Sequence, residues 1–255
     1  MESEDIPIFA MNIKQQLNEI WSQDYIKSLP SEIQRGYCFS ENVEKKTFLI
    51  TGFNPSFRIG EPLGNTSFAL DFFDNSHDNY FSPIKKMLFD GETGIDIRSE
   101  TAYADLFYFR EQDQNFLQKQ ILPTANGIRF VAEQVSLTQH IIENIIQPKV
   151  IVVKNKESWA YWGKLYEQFG WVWMGYKFEF IQNMECGELY RIIGFIDSNE
   201  RISQDITETN LKGTFVLFSQ HINQYTAKEK RPTAQQLFGI GLWAQGEKMT
   251  KDFGI

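Results

Sequence analysis

Cysteine is scarce, with only Cys38 and Cys186 in a chain of 255 residues. The two form no CxxC pair, so neither a disulfide framework nor a cysteine-based zinc site is expected, and a reducing cytoplasm fits. No apolar run approaches the ~20 residues that cross a bilayer, so no membrane partner is expected. The opening residues Met-Glu-Ser-Glu-Asp are acidic, where a secretory signal is first basic and then apolar. Basic charge is also in short supply: 25 Lys and Arg stand against 33 Asp and Glu, a net of -8. Phosphate binding is largely Lys and Arg neutralising charge, which argues against a surface that binds nucleic acid all over. A local contact is still open. Residues 71–113 carry ten acidic against four basic side chains, whereas residues 221–255 carry five basic against three acidic. If DNA is bound, the C-terminal segment is the expected contact. Also missing are HExxH, Walker, GxGxxG and GxSxG patterns, which removes support for metalloprotease, P-loop, dinucleotide-binding and α/β-hydrolase chemistry.

Large apolar side chains are plentiful, 22 Phe, 10 Tyr and 6 Trp, enough for a sizeable core. No repeat, low-complexity tract or linker divides residues 1–255, so one domain is expected. Apolar spacing predicts a helix over 10–28, with Ile13, Leu17, Ile20 and Trp21 on one face. Short apolar strands are predicted at 47–51, 101–107, 149–153 and 214–218. Helices are predicted over 82–88 with Ser82 as cap, from Gly127 to Pro148, over 158–169, and from about Thr233. The alternation of Tyr176, Phe178 and Phe180, then Leu189, Arg191, Ile193 and Phe195, predicts a hairpin turning near Cys186. Strands alternating with helices point to an α/β fold, a three-layer α/β/α arrangement around a central, mainly parallel sheet, with the hairpin as an addition. In such sheets ligands sit beyond the carboxyl ends of the strands.

Two of those ends carry chemistry. After the first strand comes Gly52-Phe53-Asn54-Pro55-Ser56-Phe57. Gly52 permits a sharp turn or a close approach, and Pro55 biases Asn54 toward an extended backbone. The Asn54 amide is then placed to orient a water or a carbonyl, although Asn-Pro also serves as an ordinary turn. The last strand runs into Ser219-Gln220-His221. A His there can donate to developing negative charge, or it can be a satisfied core or surface His.

Together these segments resemble the two active-site motifs of the uracil-DNA glycosylase superfamily, closest to its single-strand-selective monofunctional and mismatch-specific branches. Gly60-Glu61-Pro62-Leu63-Gly64 is similar to the Gly-x-Pro-Phe-Gly segment of the former, and Asp105-Leu106 to its base-reading Asn-Leu pair. The order of elements agrees from about residue 45 to 245. The resemblance implies a uracil-DNA-glycosylase-like fold and a metal-free, cofactor-free hydrolase that cleaves the N-glycosidic bond of a deaminated or damaged base in DNA, single-stranded DNA included. It implies that Asn54 positions water against the sugar C1′ and that His221 stabilises the departing base. Gly52, Phe53, Pro55, Phe57, Leu63 and Asp105 would surround that base, with Leu63 at the place of a stacking aromatic and Phe57 or Phe68 as alternatives for the part. Asp105 stands where the family has Asn. An ionised carboxylate only accepts hydrogen bonds, so Asp105 is protonated or reads something other than uracil. After His221, Tyr225 offers a face for stacking, and Lys228, Lys230 and Arg231 offer charge to phosphates. A catalytically silent nucleic-acid or nucleotide-binding protein on the same fold, and an unrelated small-molecule hydrolase, are the competing expectations.

Overall fold

A computed structural model describes residues 8–58, 60–113, 115–166 and 172–246. Ten strands occur in it: β1 (Cys38–Ser40), β2 (Phe48–Gly52), β3 (Thr66–Phe68), β4 (Phe89–Asp90), β5 (Ile95–Asp96), β6 (Thr101–Asp105), β7 (Val150–Val153), β8 (Tyr176–Met184), β9 (Gly187–Phe195) and β10 (Phe215–Ser219). Six make one sheet in the order β6-β2-β7-β10-β9-β8. The first four run parallel, and β9 and β8 continue the sheet as an antiparallel hairpin. Every residue of β2, β6, β7 and β10 is buried. This is why they read as unbroken apolar runs, since a parallel sheet is covered on both faces.

Alternation along the strands sorts the core in two. Leu49, Ala102, Ala104, Ile151, Val153, Val216 and Phe218 pack with the helix Ala125–Ile141 on one face. Phe48, Ile50, Tyr103, Val150, Val152, Phe215 and Leu217 pack on the other against Leu237 and Ile240 of the helix Ala234–Ala244, and against Ile84. The expected layers of an α/β fold are therefore present.

Several boundaries differ from expectation, each for a local reason. The strand expected to reach Phe107 ends at Asp105, although Leu106 and Phe107 still donate to the carbonyls of Gly52 and Phe53 at 3.1 and 2.9 Å. The helix Phe81–Lys86 is begun by Asp78, whose Oδ1 accepts from the backbone of Tyr80 and Phe81, and Ser82 instead accepts from the Asp78 N–H. The helix expected over 158–169 is only Trp159–Trp162, because Gly163 follows at φ 113°, in the left-handed region where a helix ends. Residues 167–171 lie outside the described residues. The first helix is Ile8–Trp21, followed by a separate 3-10 turn at Asp24–Ser28. Thr233 and Gln236 exchange side-chain and backbone hydrogen bonds to open the last helix where it was expected. No helix among the described residues is long and apolar enough to cross a membrane.

Candidate functional site

Gly52 ends β2 directly opposite Asp105, which ends β6, and Thr51 lies opposite Val153 of β7. Lys154 follows β7 directly. By alternation Tyr103, Asp105 and Lys154 share the sheet face of Phe48 and Ile50. Gly52, between them, puts no side chain on that face. The space it leaves is occupied: a Cβ on Gly52 would fall 1.8 Å from Asp105 Oδ1, 2.4 Å from Tyr103 Oη and 3.0 Å from Tyr80 Oη. Gly52 thus serves a close approach, and the group approaching it is the Asp105 carboxylate.

Tyr103 donates to Asp105 Oδ1 at 2.8 Å, and its oxygen lies 3.1 Å from that of Tyr80. Lys154, 1% exposed, holds its Nζ 3.8 Å from the centre of the Tyr80 ring. Among the described residues that ammonium has no hydrogen-bond partner. Burial pushes the Asp105 carboxyl above the usual carboxylate range, opposed by the Tyr103 hydroxyl and by the charge of Lys154. Burial likewise lowers the Lys154 ammonium, opposed by Asp105. The two groups hold each other charged in surroundings that disfavour either charge alone.

Asn54 begins the loop above this pair. Its Nδ2 donates to the carbonyls of Pro55 at 2.9 Å, Phe109 at 3.3 Å and Glu111 at 2.7 Å. The amide is thereby fixed in orientation, and Oδ1 is the atom left to accept from a ligand or water. Asn54, Pro55 and Asp105 line a cavity of about 220 Å³. Phe68, Tyr80, Phe81 and Tyr103 supply its aromatic walls, and Arg58, Glu61, Asp78 and Arg110 its charged rim. This volume lies below the ~300–1,000 Å³ of pockets for drug-sized ligands, so it suits a single ring system. The Cys38 thiol also lines it, with its pKa raised by burial.

Other expected site residues are placed elsewhere. Phe53 turns into the opposite core, edge-on to Phe107 with ring centres 5.1 Å apart. The Phe57 ring lies against the guanidinium groups of Arg35 and Arg110, at 4.8 and 4.9 Å. Leu63 is 72% exposed. Its loop is tied down by the buried Arg110, which donates to the carbonyls of Pro62 and Gly64 and to Glu61 Oε2.

His221 lines a second cavity of about 640 Å³ with Asn155, Lys156, Gln220, Tyr225 and Lys230. Asn54 and His221 therefore line different cavities, because β7, with Lys154 directly after it, stands between β2 and β10. Burial, and then the charge of Lys154, depress the His221 pKa, so its ring is neutral at neutral pH. Its Nδ1 is sealed from solvent without a hydrogen-bond partner among the described residues. Tyr225 is 85% exposed, and Lys228 and Lys230 are exposed on a 3-10 turn. Arg231 is used within its own loop, where Nε donates to Thr226 O at 2.8 Å and Nη2 to Gln224 O at 3.2 Å.

Lys154 and Tyr80 are the functional candidates that motif reading missed. Lys154 had a signal, a cation directly after the run Val150-Ile151-Val152-Val153 at a parallel strand's carboxyl end. Tyr80 had none, since a distant loop delivers it. Among the described residues no three His, Cys, Asp or Glu side chains gather to hold a metal ion. Comparison of the chain with family models, curated proteins and solved structures gave no match.

Proposed function

We propose that the protein hydrolyses the N-glycosidic bond of a deaminated or damaged base in DNA, with that base seated in the Asn54–Asp105 cavity. The observation that carries this reading is a ring-sized, aromatic-walled cavity at the carboxyl ends of β2 and β6, with a fixed amide at its mouth and a carboxylate at its floor. Aromatic walls suit a flat heterocycle, and the polar groups suit its edge. The three backbone carbonyls that hold Asn54 Nδ2 leave Oδ1 to accept from a water O–H. That water's oxygen bonds to the sugar C1′ as the C1′–N bond breaks with its electron pair going to the base, and the proton the water gives up ends on the departed base. The base must first leave the stack, at a cost of a few kcal/mol.

Incubation with oligonucleotides carrying a panel of lesions, followed by alkaline cleavage at abasic sites, tests the activity. Asn54→Ala, which leaves the attacking water unpositioned, is expected to lower single-turnover excision by about 10²-fold. An unchanged rate on the best substrate rejects the role of Asn54.

A second reading is a protein that binds a nucleotide or nucleic acid without turnover. It is favoured by His221, which lines a different cavity from Asn54 and Asp105. A cavity that binds a base while the lesion panel yields no abasic sites selects this alternative.

DNA contact is proposed at the exposed Lys228 and Lys230. Each phosphate contact releases counterions, so replacing both with Ala is expected to reduce the salt slope of single-strand binding by roughly 1.4. Arg231→Ala, in contrast, removes hydrogen bonds to Thr226 and Gln224 and acts through the loop. Salt-titrated binding of a fluorescent oligonucleotide measures both. A double variant with the wild-type slope moves the DNA off this segment.

A further inference from the structure

We infer that the cavity selects a heterocycle presenting two adjacent hydrogen-bond donors, a guanine-type ring N–H beside an exocyclic amino group, and disfavours the edge of uracil. This rests on the proposed reading of the cavity as a base site and names the base it takes.

The Asp105 carboxylate is the charged group that lines the cavity beside the Tyr103 and Tyr80 hydroxyls. Tyr103 already donates to its Oδ1, and the Lys154 ammonium stands on the Tyr80 ring beside it. Burial raises the pKa of this carboxyl, and the Tyr103 hydroxyl and the Lys154 cation oppose it and favour the carboxylate, which accepts hydrogen bonds and donates none. It has about four acceptor positions, so those beyond the Tyr103 bond remain for a ligand. A guanine edge offers N1–H and the 2-amino group side by side, the arrangement a carboxylate receives in two parallel bonds. A uracil edge offers one N–H flanked by two carbonyl oxygens, and each carbonyl would face the carboxylate lone pairs.

The rim carboxylates are already engaged. Glu61 and Asp78 join Asp105 around the cavity, against Arg58 and Arg110. Arg110 is already engaged with Glu61 and with the carbonyls of Pro62 and Gly64. Glu61 is engaged by the same bond, and Asp78 Oδ1 accepts from the backbone N–H groups of Tyr80 and Phe81, which leaves Asp105 as the carboxylate the base edge meets. The substrate class that follows is guanine altered elsewhere on the ring, by oxidation or alkylation that leaves N1–H and the 2-amino group in place.

The test is equilibrium binding of 2′-deoxyguanosine, 2′-deoxyinosine and 2′-deoxyuridine to the full chain by calorimetry. Deoxyinosine keeps the ring N–H and lacks the amino group, so it removes one of the two donors. Deoxyguanosine is expected to bind about tenfold or more tightly than deoxyinosine, the worth of one hydrogen bond to a charged group. Deoxyuridine is expected to bind most weakly. Asp105→Asn is expected to erase the deoxyguanosine preference and to strengthen deoxyuridine binding, because an amide both donates and accepts. If that variant does not fold, Asp105→Asn combined with Lys154→Met carries the same comparison without a stranded ammonium. Deoxyuridine binding as tightly as deoxyguanosine overturns the inference and leaves the base site standing. A preference for deoxyguanosine that survives the substitution overturns the role of Asp105. Failure of all three nucleosides to bind overturns the base site itself.

Discussion

Asp105→Asn is expected to destabilise the protein by about 3–5 kcal/mol at neutral pH, the cost of stranding one member of a buried charge pair. The stranded group is Lys154, which is 1% exposed and has no hydrogen-bond partner among the described residues. Its own escape sets a ceiling. Giving up a proton at pH 7 costs about 1.4 kcal/mol for each unit below an ordinary lysine value near 10.4, so the loss stays within roughly 5 kcal/mol. Lys154→Met strands Asp105, which escapes by taking up a proton. The double variant buries two neutral groups in place of two charges, a replacement that is often neutral, so its stability is expected within ~1 kcal/mol of wild type. Urea unfolding of all four proteins gives the coupling, and single losses that simply add in the double variant would show that the pair is not coupled.

The pH dependence of the two single variants has opposite sign. Lys154 is held below its unfolded value. In Asp105→Asn its penalty is therefore absent at alkaline pH, grows as pH falls through the ordinary lysine range, and levels off once the folded group is protonated. Asp105 is held above its unfolded value. In Lys154→Met its penalty is absent in acid, grows as pH rises from the ordinary Asp value, and levels off above its raised folded value.

Gly52→Ala is expected to cost ~3 kcal/mol or more and to abolish binding in the Asn54–Asp105 cavity. The new methyl would lie 1.8 Å from Asp105 Oδ1 and 2.4 Å from Tyr103 Oη. Asp105 could turn away only by leaving the Tyr103 hydroxyl, and a buried hydrogen bond to a charged group is worth about 1.5–3 kcal/mol. Tyr103 cannot withdraw easily, because its ring is packed against Phe68 and Phe81 with centres 6.2 and 5.3 Å apart. Overpacking a filled core typically adds about 1–3 kcal/mol more. A melting curve near wild type, with nucleoside binding intact, would show that the sheet face yields more easily than these contacts suggest.

The position of Gly52 shows what kind of information a local motif carries. Glycine followed by Phe53-Asn54-Pro55 reads as a loop that lets a backbone approach something, and that part was legible. The something turned out to be Asp105 and Tyr103, delivered by a strand paired through residues about fifty positions away. Asn54 was legible in the same partial way. Its place beyond a strand end followed from the chain, but the three carbonyls that hold its amide come partly from Phe109 and Glu111, in the segment after β6. Phe53 and Phe57 looked alike as ring-bearing neighbours of Asn54. Alternation at the strand end sends Phe53 into the core, and two guanidinium groups claim Phe57.

By itself the sequence determined the layered α/β arrangement, because strands buried on both faces need unbroken apolar runs and amphipathic helices need a sheet to cover. It also determined which strand ends carry polar residues. Which of those ends share a cavity was decided by strand order, a property of long-range pairing that no local run encodes. The order β6-β2-β7-β10 sets Asp105, Gly52 and Lys154 side by side, and keeps His221 beyond Lys154 on the next cavity. The charge state of the site was decided there too. A carboxylate and an ammonium acquire shifted affinities for protons only when folding removes water from both and brings each within range of the other.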